Sequence, residues 1–151
     1  MRFQHEDVTL IWQELQPLLH RHWQEVACVA IMGELRVNAD AYRRLQELGV
    51  LHVTTARCAT SGELVGYAAY ILSRNLHYSQ HLVAEADVFY LVPERRRGLA
   101  GLRLLREAEG QLRGRGVGVI CQKVKAAHDC GALFRRMGYT LMEHVYVKGV
   151  Q

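Results

Sequence analysis

The sequence predicts one α/β domain, built as a single mixed, twisted β-sheet with helices on both faces. Its apolar residues change from helical spacing to alternating spacing and back again along the chain. The length of 151 residues suits one domain with a substantial core. No linker, internal repeat or low-complexity segment interrupts the sequence. We therefore expect residues 1–151 to fold as one domain.

Helical spacing of apolar residues predicts two helices in the N-terminal third. The first covers 8–19 and contains Pro17, which predicts a kink or a break at that point. The second begins with a polar cap at Asn38 or Asp40 and stops at Gly49. Two more helices are predicted nearer the C-terminus, at 102–112 and 126–137.

Alternating or β-rich apolar runs predict the strands. They lie at 1–6, 51–59, 64–72, 82–92, 117–124 and 139–148. The turn residues Thr60, Ser61 and Gly62 separate the second run from the third, so we expect an antiparallel hairpin there. The strand, helix and strand between 82 and 124 should form a right-handed crossover that joins parallel strands.

The charge pattern favours a small anionic ligand over a nucleic acid. Sixteen arginines and three lysines exceed fifteen acidic residues and give a net charge of +4. The arginines are spread along the chain apart from one cluster at 95–97, whereas a nucleic-acid site needs a dense basic stripe. The eight histidines show no metal-ligand spacing, so we expect no metal. No apolar run could span a membrane and no signal peptide is evident, so we expect a cytoplasmic protein without a membrane partner.

Cysteine usage fits a reducing compartment. No two of the four cysteines form a C-x-x-C pair. We expect reduced and mostly buried thiols at Cys28, Cys58, Cys121 and Cys130.

The loop between the strand 82–92 and the helix 102–112 is the sharpest local feature. Its sequence at 95–101 is RRRGLAG. Backbone N–H groups at a helix N-terminus have no partners within the helix and attract phosphate, and glycine lets the backbone come close. Neighbouring arginines add charge-assisted hydrogen bonds. Taken alone, the loop is explained equally well as a solvated turn.

The position of this loop resembles that of the phosphate loop in the GNAT superfamily of N-acetyltransferases. The family pattern is R/Q-x-x-G-x-G/A after a strand that ends in proline, and residues 91–101 read LVPERRRGLAG. The stretch 133–139, LFRRMGY, is similar to the family's closing helix and strand. In the register we prefer, Arg96 takes the first place of the pattern, Gly101 the last, and Leu99 stands where a glycine is expected. The overall size and the His77-Tyr78 loop also resemble small GNAT-like proteins of phages and prophages.

The resemblance implies that acetyl-CoA is the cosubstrate. The pantetheine arm would pair with the backbone of the strand 82–92, in a wedge opened where that strand parts from the strand 117–124. The implied cofactor-binding residues are Phe89, Tyr90, Leu91, Arg96, Arg97, Gly98, Leu99, Ala100, Gly101 and His128.

Two carboxylates in the strand 82–92 are the candidates for the base that takes a proton from the amine. Glu85 and Asp87 are two residues apart, so we expect both to share one face of the strand with Phe89 and Leu91. Acidic groups in an apolar strand are costly to bury without a purpose. Asp87 is favoured because it lies nearer the wedge, although a solvated strand edge is the other explanation.

The general acid is harder to assign. In many family members a tyrosine precedes the closing strand, but Phe134 takes that place here and has no proton to donate. Tyr139 is therefore the candidate, along with Tyr146 or a water molecule.

The leading prediction is an N-acetyltransferase that acts on a primary amine by direct attack. A catalytically weak or silent acyl-CoA-binding or interaction module is the alternative. The acceptor would be a small-molecule or peptide amine, and its pocket could include Trp12, His20, His22 and Trp23, which core or rim positions would explain as well. A final strand and an exposed sheet edge make a homodimer possible.

Overall fold

The chain folds around one mixed five-stranded sheet, seen in a computed structural model that describes residues 1–26 and 29–150. The strands, in sheet order, are β1 (Arg2–His5), β2 (Leu51–Arg57), β3 (Leu64–Arg74), β4 (Leu82–Leu91) and β5 (Val119–Cys121). The first four pair antiparallel and β5 pairs parallel with β4. The predicted fold class is confirmed, including the hairpin and the parallel crossover. The predicted Cys28 thiol lies outside the described residues.

Helices cover both faces of the sheet. They are α1 (Val8–Val26), α2 (Val29–Met32), α3 (Ala39–Glu47), α4 (Ala100–Gly114) and α5 (Gly131–Arg136). On one face α1 and α3 pack on each other and on the sheet, as the contact of His22 with Tyr67 illustrates. On the opposite face α4 packs on the first three strands, and its Gln111 contacts the buried His52.

Two local signals place the N-terminal helices. The Asp7 side chain accepts from the backbone N–H of Thr9 (2.8 Å), and Asn38 accepts from that of Ala41 (2.9 Å), so each helix begins at a side-chain cap. The break at Pro17 does not occur, and α1 continues to Val26. The buried apolar stripe of α1 continues on both sides of the proline and holds both halves against the sheet. This packing compensates for the one hydrogen bond that proline removes.

The C-terminal part differs from the prediction. The helix expected at 126–137 divides into a 3₁₀ turn at Ala126–His128 and the short α5. The side chain of Asp129 accepts a hydrogen bond from the N–H of Gly131, the first residue of α5 (2.6 Å). The strand expected at 139–148 does not form, and its apolar residues, such as Leu141 and Tyr146, are exposed. A strand needs a paired edge, and this segment pairs with no other described strand.

Candidate active site

The two parallel strands part as predicted. Pairing between β4 and β5 covers only Val83 to Glu85 against Val119 to Cys121. Beyond that point β4 continues to Leu91 and stays paired with β3 on its other side. The segment 86–91 therefore has one edge without a partner strand in the described chain, which leaves backbone N–H and C=O groups open to a ligand.

A β-bulge lies at the start of this open edge. Ala69 of β3 pairs with Val88, but the next residue, Tyr70, pairs with Ala86, which leaves Asp87 as an extra residue on β4. Such a bulge bends its strand and redirects a side chain.

The bulge changes which residues share a face. Glu85 lies on the α1 and α3 face, and Asp87 points the same way because it contacts Tyr42 of α3. Phe89 and Leu91 lie on the α4 face. The prediction that all four share one face is therefore wrong, because the inserted residue shifts the two-residue alternation of the strand.

The two candidate carboxylates have different partners. Asp87 accepts a hydrogen bond from the Tyr42 hydroxyl (2.7 Å). Burial raises the pKa of Tyr42, and the neighbouring Asp87 raises that pKa further. Glu85 forms an ion pair with Lys123 (3.0 Å), which lies just beyond β5. Asp87 is thus bound by a residue of α3, and Glu85 by a residue that follows the neighbouring strand β5.

The loop after β4 leads into an uncapped helix. Gly98 has a φ of 65°, a left-handed conformation that favours glycine. Leu99 is the N-cap of α4, and its side chain cannot accept a hydrogen bond. Within the described chain, the N–H groups of Ala100, Gly101 and Leu102 have no protein acceptor. They are available to an anion.

The arginines of the cluster at 95–97 differ in their protein partners. Arg96 donates through Nε to the carbonyl of Leu91 (2.7 Å), and its guanidinium pairs with Glu25 (2.6 Å) and lies over the Tyr90 ring at 5.4 Å. This pairing raises the pKa of Arg96 and lowers that of Glu25.

Arg97 is exposed and forms no ion pair with any described residue. Arg95 has only a long contact with the Cys58 thiol (3.8 Å) and no acidic partner among the described residues. Arg96 therefore ties the loop to α1, whereas Arg95 and Arg97 have guanidinium groups available to a ligand.

A histidine from α1 lies over the open half of β4. Nδ1 of His22 is 3.0 Å from the Tyr67 hydroxyl, and its ring stacks on Tyr90 at 4.8 Å. Burial lowers the pKa of His22. The sequence made His22 a pocket candidate but gave no sign of Tyr67, because a tyrosine in an apolar strand is typical of a core residue.

Tyr139 belongs to a polar network on the α4 face. Its hydroxyl donates to Glu109 (2.7 Å) and lies 3.3 Å from the Gln122 amide, which also donates to the Tyr70 hydroxyl (3.0 Å). Burial raises the pKa of Tyr139 and Glu109 adds to the increase. Phe134 is buried with its ring edge-on to Tyr139 at 5.5 Å. A raised pKa weakens Tyr139 as a proton donor to a thiolate.

The exposed His128 lies in the turn after β5, near enough to Glu25 to lower the pKa of that carboxylate. Its charge therefore acts on the last turn of α1. No group of three or more His, Cys, Asp or Glu side chains in the described ranges could hold a metal ion. Likewise, none of the described helices is both long and apolar enough to cross a membrane.

Solved structures resemble this chain over almost its whole length. A probable acetyltransferase matches with a TM-score of 0.75 and 16% identity, covering 100% of this chain and 99% of that one. A ribosomal-protein-alanine N-acetyltransferase from Brucella melitensis biovar Abortus 2308 has a TM-score of 0.72 and 14% identity, covering 99% and 100%. The aminoglycoside N-acetyltransferase AAC(6')-Iy in complex with CoA has a TM-score of 0.72 and 10% identity, covering 99% of each chain.

The comparisons therefore establish the fold. No protein-family model matches the sequence, and no curated protein matches it. The chain has the GNAT acetyltransferase fold, as the resemblance of its loop implied.

Proposed function

We propose that this protein is an N-acetyltransferase that moves the acetyl group of acetyl-CoA to a primary amine by direct attack. The main supporting observation is that the open edge of β4 runs into the uncapped N-terminus of α4. Over 86–91 the edge offers backbone groups without a partner strand, apart from the Leu91 carbonyl that accepts from Arg96, and the helix offers N–H groups without protein acceptors in the described chain. Together they suit an extended arm that contains amides and ends in phosphates.

The sequence-derived cofactor residues fit this path. The edge is formed by Phe89, Tyr90 and Leu91, and the anion-binding turn by the residues from Gly98 to Gly101. Arg97 would add a charge-assisted bond to phosphate. Arg96 would act mainly by holding the loop in place, and His128 would lie at the mouth of the wedge.

The chemistry requires a neutral amine and a stabilised oxyanion. The amine nitrogen forms a bond to the acetyl carbon, the carbon–sulfur bond breaks, and the thiolate of CoA leaves. Backbone N–H groups at the bulged, open part of β4 would donate to the oxyanion. The amine loses one proton, for which Asp87 and Glu85 are the carboxylate candidates. Tyr139 or solvent would return a proton to the thiolate.

The structural neighbours support acetyl transfer in general. They include N-acetyltransferases of a ribosomal protein and of aminoglycosides, the latter in complex with CoA. Either a peptide or a small-molecule amine is therefore a reasonable acceptor to test.

A catalytically silent acyl-CoA-binding module is the second candidate. Phe134, which stands where the family has a tyrosine, favours it because no proton donor lies at that place. Since the thiol of CoA is itself fairly acidic, the loss of this donor need not stop turnover.

The proposal also covers compartment and partners. Cys58, Cys121 and Cys130 are free thiols, which fits the cytoplasm. The outer edge of β5 has no partner strand in the described chain, and exposed apolar residues follow at 141–147, so a homodimer through this edge is proposed. Neither a nucleic acid nor a membrane is proposed as a partner.

Thermal unfolding with acetyl-CoA, CoA or an oligonucleotide tests binding. Acetyl-CoA should raise Tm with concentration, because a ligand that binds only the folded state stabilises it by mass action. The oligonucleotide should not raise it. No shift with saturating acetyl-CoA would refute both the enzyme and the silent module.

Release of free thiol from acetyl-CoA, measured over a panel of peptide and small amines, separates the two candidates. An amine-dependent increase supports the enzyme, and binding without release across the panel supports the silent module. Arg97→Gln should weaken the Tm shift, whereas Arg106→Gln, an exposed arginine on α4, should not.

A further inference from the structure

The last turns of α1 place the imidazole of His22 over the part of β4 that has no partner strand on one side. The ring of His22 stacks on Tyr90 with centroids 4.8 Å apart and planes 19° apart. Tyr90 pairs with Tyr67 across β3 and β4, and Tyr67 reaches the same histidine through its hydroxyl. His22 is thus held against two adjacent strands on the α1 face of the sheet. The ring it stacks on, Tyr90, lies three residues after the bulge at Asp87.

One nitrogen of this ring is fixed and the other is open. Nδ1 lies 3.0 Å from the hydroxyl of Tyr67, a residue that is only 1% exposed. That hydroxyl makes no other hydrogen bond in the described chain, and Nε2 of His22 has no hydrogen-bond partner there. The hydrogen bond made by one ring nitrogen decides which nitrogen carries the proton. If Nδ1–H donates to Tyr67, Nε2 presents a lone pair.

Four charged groups face the ring from the surrounding elements. Glu25 lies one turn further along α1, Arg96 in the loop, Lys125 beyond β5, and Asp87 at the bulge. Two are anionic and two cationic, so their effects oppose one another. Burial is the largest influence and keeps the pKa of His22 low. A pKa below the ordinary imidazole value of about 6.5 favours the neutral ring at pH 7.

The two carboxylates are less suited to accept a proton. Asp87 already accepts the Tyr42 hydroxyl, and Glu85 is paired with Lys123. Each carboxylate is thus already engaged by a protein partner, whereas Nε2 of His22 is open. Asp87 is exposed and anionic, which suits a group that attracts a cationic amine.

We propose that His22 takes the proton from the acceptor amine, that Tyr67 orients the imidazole, and that Asp87 holds the cationic acceptor. This inference rests on the proposed acetyltransferase function. In the step, an N–H bond of the substrate ammonium breaks and a bond forms between that proton and Nε2. The freed lone pair attacks the acetyl carbon, the carbon–sulfur bond breaks, and the departing thiolate takes up the second proton that the nitrogen loses. The imidazolium later releases its proton to solvent. The acceptor class is accordingly a primary amine that arrives protonated.

Steady-state kinetics of His22→Gln test the proposal. Loss of a general base lowers kcat by about 10²-fold or more. The KM for acetyl-CoA should stay within about twofold of the unsubstituted protein. In that protein, kcat/KM should fall on the acid side with a midpoint below pH 6.5, the ordinary imidazole value, and the variant should lack this fall. His77→Gln is the control, because His77 is an exposed histidine in the loop between β3 and β4, and it should retain both the rate and the fall in kcat/KM at acid pH.

Two further variants separate chemistry from folding. His22→Ala should regain activity with added imidazole, whereas a merely structural role would give no rescue. Tyr67→Phe should lower kcat but keep the fall on the acid side, because it removes only the orienting hydroxyl.

An active unsubstituted protein with His22→Gln within threefold of its kcat would overturn the proposal. An unchanged decrease of kcat/KM at acid pH in His22→Gln would overturn it too. So would a His22→Ala variant that added imidazole does not reactivate. If the unsubstituted protein itself transfers no acetyl group to any protonated amine, the proposed function fails first and this inference fails with it.

Discussion

His52, which is buried on the α4 face of the sheet, should make the free energy of unfolding fall in mild acid. His52 is 1% exposed, and its Nε2 lies 3.1 Å from both the Thr54 hydroxyl and the Gln111 carbonyl oxygen. Its ring stacks on His5 at 4.6 Å, and a guanidinium nitrogen of Arg115 is 3.4 Å from Nδ1. Burial, with neighbouring His5 and Arg115, lowers the pKa of His52 to about 4.

The direction and size of the effect follow from this lowered pKa. An unfolded histidine titrates near pH 6.5, so below that pH the unfolded chain binds a proton that folded His52 does not. The stabilisation is complete above pH 6.5 and is lost progressively as the pH falls towards 4. Each pH unit in this window costs about 1.4 kcal/mol. At pH 5, His52 alone should have lowered the free energy of unfolding by about 2 kcal/mol.

Urea unfolding at pH 7 and pH 5, followed by the fluorescence of Trp12 and Trp23, measures this loss. His22 also has a lowered pKa and contributes with the same sign, so the comparison needs a variant. In His52→Gln the stability lost between the two pH values should be smaller by about 2 kcal/mol. The control His20→Gln should lose as much as the unsubstituted protein. An equal loss in His52→Gln and the unsubstituted protein would refute the reasoning.

Three other changes have defined outcomes. Gly66→Ala should destabilise the fold by about 1–3 kcal/mol in urea unfolding, because a Cβ there would lie 2.8 Å from the carbonyl oxygen of Tyr90 and 2.7 Å from a methyl of Leu91. Arg97→Gln should weaken acetyl-CoA binding roughly tenfold by calorimetry, since its guanidinium has no acidic partner in the described chain. Asp87→Asn should leave acetyl-CoA affinity unchanged and lower kcat/KM for the amine by about tenfold or more.

Each of these changes has a control that can contradict it. Gly110→Ala, on an open face of α4, should be neutral or stabilising, so equal destabilisation would argue against crowding at Gly66. Arg106→Gln should bind acetyl-CoA normally, and an equal loss in both arginine variants would point to general charge attraction. Loss of acetyl-CoA affinity in Asp87→Asn would place this carboxylate in the cofactor site rather than beside the amine.

Local patterns were sufficient for most elements as far as β5 and for the loop before α4. The caps at Asp7 and Asn38, the stop at Gly49 and the strand that ends before Pro93 act over a few residues, so the sequence displays them directly. The glycine-containing loop before the helix 102–112 is likewise visible in the sequence. These signals predicted the mixed sheet and the anion-binding turn.

Other features depended on partners distant in the chain. The bulge at Asp87 is set by the register of β3 against β4, and it overturned the prediction that Glu85 and Asp87 share a face with Phe89 and Leu91. The alternation of apolar residues at 139–148 predicted a strand, but alternation cannot supply the paired edge that a strand needs.

The sequence by itself determined most of the helices and strands as far as β5 and the glycine-containing loop before α4, because short-range sterics and hydrophobic periodicity act locally. The wedge was expected from the resemblance of that loop to the GNAT superfamily. The tertiary structure alone decided which charged and polar side chains are partners of one another. It paired Arg96 with Glu25, 71 residues away, and left Arg97 unpaired in the described chain. It also brought His22 against Tyr67 and Tyr90. The physical reason is that hydrogen bonds, burial and charge depend on distances in space, which no spacing along the chain encodes.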